Sequence, residues 1–220
     1  MNFSDLRRFL PAKPVLAIFL AALTLRLLYL AEITDLPYFS TLVLDAFEYD
    51  RLAAGLLQGN WLIDRQGGYV HSLLYPYMLG LLKFFGANNL LVRVMQMLLG
   101  AFSCVLIYRI AAHLFPPPAP LLAGLFAACY WTLIFYNGEL LATTLVVLIQ
   151  LLLVDLLLRS AGKVSNKTAA LAGLLSGLLV LTRGNTLLLL PVALWAVWRL
   201  SGAPARRLVH VGFFALCLNA

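Results

Sequence analysis

The sequence is poor in charge, since only 11% of its 220 residues are charged, whereas 63% are hydrophobic. A soluble domain has about a quarter charged and roughly half apolar residues, so this composition excludes an ordinary soluble protein. No run alternates like a lipid-facing barrel strand, and several apolar runs approach the roughly 20 residues that cross a bilayer as a helix. We therefore predict an all-α, polytopic helical membrane protein.

Cysteines and short chemical motifs are equally sparse. Cys104, Cys129 and Cys217 lie singly within apolar segments, so we expect neither a disulfide framework nor a zinc site. The sequence contains no phosphate-binding loop, dinucleotide fingerprint or metal-ligand motif. We therefore predict no cofactor, with a divalent cation left open. The net charge of +7 is accounted for by basic loops and does not indicate a nucleic-acid partner.

The apolar runs predict the membrane topology. The first, about 15–31, lacks a small-x-small cleavage site, so we interpret it as a retained span rather than a signal peptide. The apolar run 168–198 is too long for one ordinary span, so we prefer a hairpin of two short helices broken near Arg183 to one tilted span. Because the last run has only begun at Ala220, we expect residues 1–220 to be the N-terminal part of a longer transmembrane domain. The remaining predicted spans are about 94–112, 120–135, 140–158, 168–182, 186–198 and an incomplete one from about 208.

Charge placement favours a cytoplasmic N-terminus in the inner (plasma) membrane, because cytoplasmic loops are enriched in Lys and Arg. Every acid except Asp5 and Asp155 then faces outward. Arg26, near the outer end of the first span, is expected to reach the interface or to pair with Glu32. The basic residues placed inside are Arg7, Arg8, Lys13, Arg109, Arg159, Lys163, Lys167, Arg199, Arg206 and Arg207.

The unusual feature is a long first outer loop, about 32–93. It contains two amphipathic pieces, "DAFEYDRLAAGLLQG" and "LLYPYMLGLLKFFG", which predict interfacial helices. The order of these pieces, followed by "VRVMQMLLGAFSCVLIYRIAAHLF", "YNGELLATTL" and "GLLSGLLVLTRGNTLLLLP", resembles the N-terminal half of the GT-C glycosyltransferases. More narrowly, it resembles the bacterial members grouped with protein O-mannosyltransferases and the lipid A aminoarabinose transferase (glycosyltransferase family 39-like).

The resemblance implies a membrane glycosyltransferase that takes a sugar from a polyprenyl-phosphate carrier. The acceptor, a protein, lipid or glycan, would be modified on the periplasmic or extracellular side by a carboxylate in the first outer loop. Members often have an Asp-Glu pair where this chain has Asp45-Ala46, which concentrates the catalytic prediction on Asp45. A transporter or flippase of a lipid-linked substrate, and a non-catalytic membrane subunit, are the alternatives.

The chemistry also favours Asp45. Glycosyl transfer from a phosphate needs a base near the acceptor and positive charge near the leaving phosphate. A helical projection places Asp45 on one arc with Tyr49, Leu52 and Leu56, which predicts an acid on the buried side. The alternative is a capping box in which Asp45 caps the helix and Glu48 reaches back.

Three further residues are predicted to bind substrate. The resemblance suggests Glu139 as a second acid facing the same cavity, although an acid at a helix N-terminus is an equal alternative. Arg183 would hold the carrier phosphate through paired N–H donors, with interface snorkelling as its alternative. Glu48 is expected to support Asp45 or to remain a solvated cap.

Overall fold

The computed structural model describes residues 12–61, 72–161, 164–201 and 204–218. The basic residues Arg7, Arg8 and Lys163, and part of the predicted outer loop (62–71), lie outside these ranges. The described ranges contain helices and no strand, which confirms the all-α prediction. The helices are α1 (Ala12–Ile33), α2 (Pro37–Ser40), α3 (Leu44–Leu57), α4 (Leu74–Phe84), α5 (Asn89–Leu114), α6 (Ala119–Cys129), α7 (Trp131–Gly138), α8 (Thr143–Arg159), α9 (Asn166–Thr182), a 3-10 helix (Gly184–Leu189), α10 (Leu190–Leu200) and α11 (Pro204–Leu218).

Two of the described helices, α1 and α5, are long and apolar enough to cross a membrane, and the α6–α7 pair adds a third if it counts as one span. At about 1.5 Å per residue, the 26 residues of α5 extend beyond a ~30 Å hydrocarbon core. This agrees with a multi-pass membrane protein. Which of the shorter helices cross the membrane stays a prediction.

The predicted span 120–135 is not one helix. It is divided at Tyr130, whose backbone is extended (φ −70°, ψ 107°), and α6 and α7 meet there with a bend of 47°. The sequence has neither proline nor glycine at this point, so the usual local causes of a kink are lacking. The next helix also starts later than predicted, at Thr143, because residues 139–142 form the turn.

The chain divides into two compact units, Met1–Leu145 and Val146–Ala220. In the first, α1 packs on α5 and α6 through Ile18, Ala22 and Cys104. A second cluster joins α3, α4 and the start of α5 to the turn after α7, and it contains Tyr75 and Leu140. This second cluster positions the candidate site.

The second unit is built around α9. Glycines at 173 and 177 let α9 approach α11 closely, since a Cβ at Gly177 would lie 2.6 Å from the Leu218 carbonyl oxygen. The chain is interrupted at Arg183, as predicted. Ala172 and Ala193 share one core cluster, whereas a straight helix would separate them by about 30 Å. Helices α9 and α10 are therefore not parts of one straight span.

Candidate functional site

Asp45 is the second residue of α3, and it is exposed. The buried side of α3 is formed by Ala46, Tyr49, Ala53 and Leu56. The prediction that Asp45 lies on the buried side is therefore wrong by one position. The physical reason is that the small side chains Ala46 and Ala53 allow close packing on α4, whereas a projection ranks larger apolar residues as more buried.

The start of α3 does not contain a capping box. The N-cap is Val43, without a side-chain cap bond, and Leu44 follows with a left-handed φ of 53°. The Glu48 carboxylate instead accepts from Arg51, with Oε1 at 2.6 Å from Nη2 and Oε2 at 2.9 Å from Nε. The capping-box alternative is therefore wrong, and Glu48 forms a two-point ion pair on the surface of α3.

Asp50 and Lys83 join α3 to α4. The Lys83 Nζ donates to Asp50 Oδ1 at 2.5 Å, and both side chains are partly covered. Tyr49 also contacts α4, because its ring meets the edge of Tyr75 at a centroid distance of 5.1 Å. The two predicted interfacial pieces thus form one packed layer, which carries Asp45 at one helix end.

Glu139 follows directly after α7, in an extended conformation, and is half-buried. The carbonyl groups of this turn are bound by α5. The Gln96 Nε2 donates to the carbonyl oxygens of Asn137 (3.2 Å) and Glu139 (2.6 Å), and the Arg93 Nε donates to the Gly138 carbonyl oxygen at 2.9 Å. A helix end leaves several carbonyls without partners within the helix. Here buried side chains bind three successive carbonyls, and the Glu139 carbonyl also accepts from the Leu141 amide at 2.8 Å.

The Glu139 carboxylate lies beside a buried cation. Burial raises the pKa of Glu139 above the usual range, while the positive charge of Arg93 opposes this shift. Arg93 is itself buried and stacks over the Phe39 ring at 4.1 Å. Within the described ranges, Glu139 makes no side-chain hydrogen bond or ion pair, so its carboxylate oxygens have capacity for a ligand.

Arg26 neither reaches the surface nor pairs with Glu32, contrary to the prediction. It is fully buried, and its Nε donates to Asn137 Oδ1 at 2.8 Å. Its Nη1 donates to the Ala22 and Ala128 carbonyl oxygens at 3.1 and 3.3 Å. The guanidinium therefore joins α1 to the broken α6–α7 pair. Its hydrogen bonds to several polar acceptors offset the free-energy cost of burying its charge.

Both candidate acids belong to the first unit, and each has a sequence neighbour in one core cluster. Ala46, next to Asp45, and Leu140, next to Glu139, belong to the same core cluster as Tyr75. Arg183 belongs to the second unit, where it ends α9. It is exposed, and its carbonyl oxygen accepts from the Thr186 hydroxyl at 2.6 Å. Within the described part of the chain, its guanidinium makes no hydrogen bond or ion pair.

Sequence reasoning overlooked the polar side chains that hold the Glu139 turn. Arg93 and Gln96 are three residues apart, so they lie on one side of α5. Polar residues within an apolar span are costly and mark functional sites, and this signal identifies the pair. Among the described ranges, no group of three His, Cys, Asp or Glu side chains is placed to hold a metal ion.

Comparison with known proteins adds one match. A sequence model of the family described as dolichyl-phosphate-mannose-protein mannosyltransferase matches residues 70–219. The matched region contains Glu139 and Arg183, and it begins after Asp45 and Glu48. No curated protein and no solved structure matches the chain.

Proposed function

Because the chain belongs to the family of dolichyl-phosphate-mannose-protein mannosyltransferases, and is therefore a membrane glycosyltransferase, we propose that it moves a sugar from a polyprenyl-phosphate carrier to an acceptor. The acceptor is a protein, lipid or glycan on the outer face of the inner (plasma) membrane. The observation that supports this most strongly is the family match over 70–219. The distribution of basic residues supports a cytoplasmic N-terminus and an outer site.

The reaction needs one base and one positive group. An acceptor hydroxyl attacks the anomeric carbon, the bond from that carbon to the phosphate oxygen breaks, and the carrier phosphate leaves with the bonding electrons. In our proposal Asp45 takes the hydroxyl proton, so that charge balances as the new glycosidic bond forms. Phosphate is a good leaving group, so stabilising its charge is needed more than protonating it.

The position of Asp45 supports this role. Asp45 is exposed in the first turn of α3, and the surrounding layer has exposed apolar side chains, including Leu44 (87%), Phe84 (71%) and Phe85 (77%). Such a surface is suited to the lipid boundary. An exposed carboxylate on this layer would therefore meet a substrate whose carrier lies in the bilayer.

The other predicted residues receive supporting roles in the proposal. Glu139 would bind the acceptor, since its carboxylate has free hydrogen-bonding capacity. Arg183 would bind the carrier phosphate with two parallel N–H donors. Glu48 is already paired with Arg51. If it contacts the substrate, it would do so while keeping this ion pair. The roles proposed above do not depend on a divalent cation.

The experiment is turnover of a polyprenyl-phosphate sugar by Asp45→Asn in membranes with matched protein content. Asp45 does not supply the N-cap, so the substitution should leave α3 intact. We expect transfer to fall by about 10²–10⁴-fold, the usual contribution of a positioned base. The matched controls are Asp50→Asn and Glu48→Gln, which should cost far less, since each loses an ion pair worth up to ~1 kcal/mol.

Near-normal transfer by Asp45→Asn would contradict the assignment of the base. Movement of the lipid-linked sugar across the membrane with its sugar–phosphate bond intact would indicate a flippase instead. Full activity in the complete absence of any acidic side chain at 45, 48 and 50 would indicate that the base lies elsewhere.

A further inference from the structure

Gln96 is a buried amide at the centre of the candidate site. Only 1% of it is exposed, and its side chain makes three hydrogen bonds to two other parts of the chain. Its Nε2 donates to the carbonyl oxygens of Asn137 and Glu139, and its Oε1 accepts from the Tyr75 hydroxyl at 2.6 Å. The three bonds connect α5 to the α7 end and to α4.

The partners fix the orientation of this amide. Carbonyl oxygens only accept, so the Gln96 NH₂ must face Asn137 and Glu139. Its oxygen then faces Tyr75, and the Tyr75 hydroxyl must act as donor. The flipped amide would place its oxygen against two carbonyl oxygens, so these three bonds fix which way the Gln96 amide faces.

The same bonds relate the two candidate acids. Tyr75 packs on Tyr49 of α3, and Ala46, adjacent to Asp45, lies in the same core cluster. On the other side, Gln96 holds the backbone of Glu139 itself. A continuous series of contacts therefore runs from α3 through Tyr75 and Gln96 to the Glu139 turn.

We propose that Gln96 is a positioning residue, which sets the Glu139 carboxylate relative to the α3–α4 layer through its bonds to the Glu139 backbone and to Tyr75. This inference rests on the proposed function, in which Glu139 binds the acceptor. Displacing a substrate-binding group by about 1 Å can cost 10²-fold in rate. Loss of Gln96 therefore lowers turnover without removing any group that touches the substrate.

The first test measures turnover and carrier affinity in Gln96→Met, which keeps the side-chain length and removes all three bonds. We expect turnover to fall about 10–100-fold, while affinity for a polyprenyl-phosphate analogue stays within about twofold. Tyr75→Phe, which keeps the ring packing and removes one bond, should give a smaller loss in the same direction. The matched control is Ser103→Ala, because Ser103 is also buried on α5 but bonds only the Leu99 carbonyl of its own helix.

A double substitution separates positioning from general damage. In a Glu139→Gln background, Gln96→Met should add little further loss, because both changes act on one group. An equal loss in both backgrounds, or unchanged turnover in Gln96→Met and Tyr75→Phe, would overturn the proposal. If Gln96→Met does not fold, the same comparison is made with Tyr75→Phe. Its loss of turnover should be smaller in the Glu139→Gln background than in wild type, and an equal loss would overturn the proposal.

A second readout does not depend on transferase activity. In Glu139→Cys, the rate of thiol labelling against pH, corrected for labelling of wild type, reports the surroundings of position 139. In the Glu139→Cys background, we expect Gln96→Met to change the dependence of the labelling rate on pH. We expect Ser103→Ala in the same background to leave it unchanged. A wild type without transfer activity would refute the proposed function alone. An unchanged profile in Gln96→Met would refute the positioning role alone.

Discussion

Gly100→Ala should destabilise the protein, although Gly→Ala inside a helix is normally favourable. Gly100 lies in α5, and the amide of Asn137 occupies the space beside it. A Cβ added there would lie 2.5 Å from Asn137 Cγ and closer still to its Oδ1. The amide cannot move aside freely, because Oδ1 accepts from Arg26 and Nδ2 donates to Thr144 Oγ1 at 3.0 Å. Gly100→Ala must therefore break at least one of these bonds.

The two bonds set the magnitude. The charge-assisted bond from Arg26 is worth about 1.5–3 kcal/mol, and the neutral bond to Thr144 about 0.5–1.5 kcal/mol. Against this loss, alanine gains about 0.5–1 kcal/mol over glycine in a helix. If the Arg26 bond alone is lost, we expect the free energy of unfolding to fall by about 0.5–2.5 kcal/mol. If both bonds are lost, we expect a fall of about 1–4 kcal/mol.

The assay is thermal unfolding in detergent, with Gly212→Ala as the matched control. Gly212 also lies within a helix, but an added Cβ there meets nothing within 4 Å, so this variant should be neutral or slightly stabilised. Asn137→Ala supplies the other arm of a double-mutant cycle, since it removes the obstructing amide. In that background Gly100→Ala should lose most of its cost. An equal cost with and without Asn137, or no cost at all, would refute the steric argument.

Three other expectations concern charge. Arg183→Ala should weaken binding of a polyprenyl-phosphate analogue by about 10–150-fold, with Lys restoring part of it; unchanged affinity would support interface snorkelling. Burial raises the pKa of Glu139, so its ionisation costs stability as pH rises above the ordinary carboxylate value. Glu139→Gln should therefore match or exceed wild-type stability at neutral pH and lose this advantage below about pH 4, as melting curves would show; a variant less stable at neutral pH would contradict this. Cysteines at the exposed positions Asn60 and Asn166, without the three native ones, should label from opposite sides of the membrane, and labelling of both by one impermeant reagent from outside would reject the topology.

Composition and periodicity predicted the all-α fold because burial in lipid needs long apolar helices, a property of consecutive residues. They also predicted two helices in the region now described as α3 and α4, and the interruption at Arg183. The buried side of α3 was predicted wrongly because small residues define it. How closely Ala46 and Ala53 pack depends on the side chains of α4. The sequence of α3 alone does not contain this information.

The polar network was not predictable in the same way. Arg26 and Asn137 are 111 residues apart in the chain, and Gln96 and Glu139 are 43 apart. No local pattern relates such positions, and Arg26 alone suggested interface snorkelling or a pair with Glu32. The break at Tyr130 was also not predictable from nearby residues. It leaves the Ala128 carbonyl without a helix partner, and this carbonyl accepts from Arg26 of another helix.

The break at Tyr130 and the buried Arg26 also restrict how this sequence can evolve. In a continuous helix, the Ala128 carbonyl would accept from the amide of Thr132, but here it accepts from Arg26. Loss of the guanidinium leaves the carbonyl and Asn137 without their donor, while repair of the helix leaves the guanidinium with one acceptor fewer. Each change by itself should therefore cost stability, so Arg26 and the break at Tyr130 depend on each other.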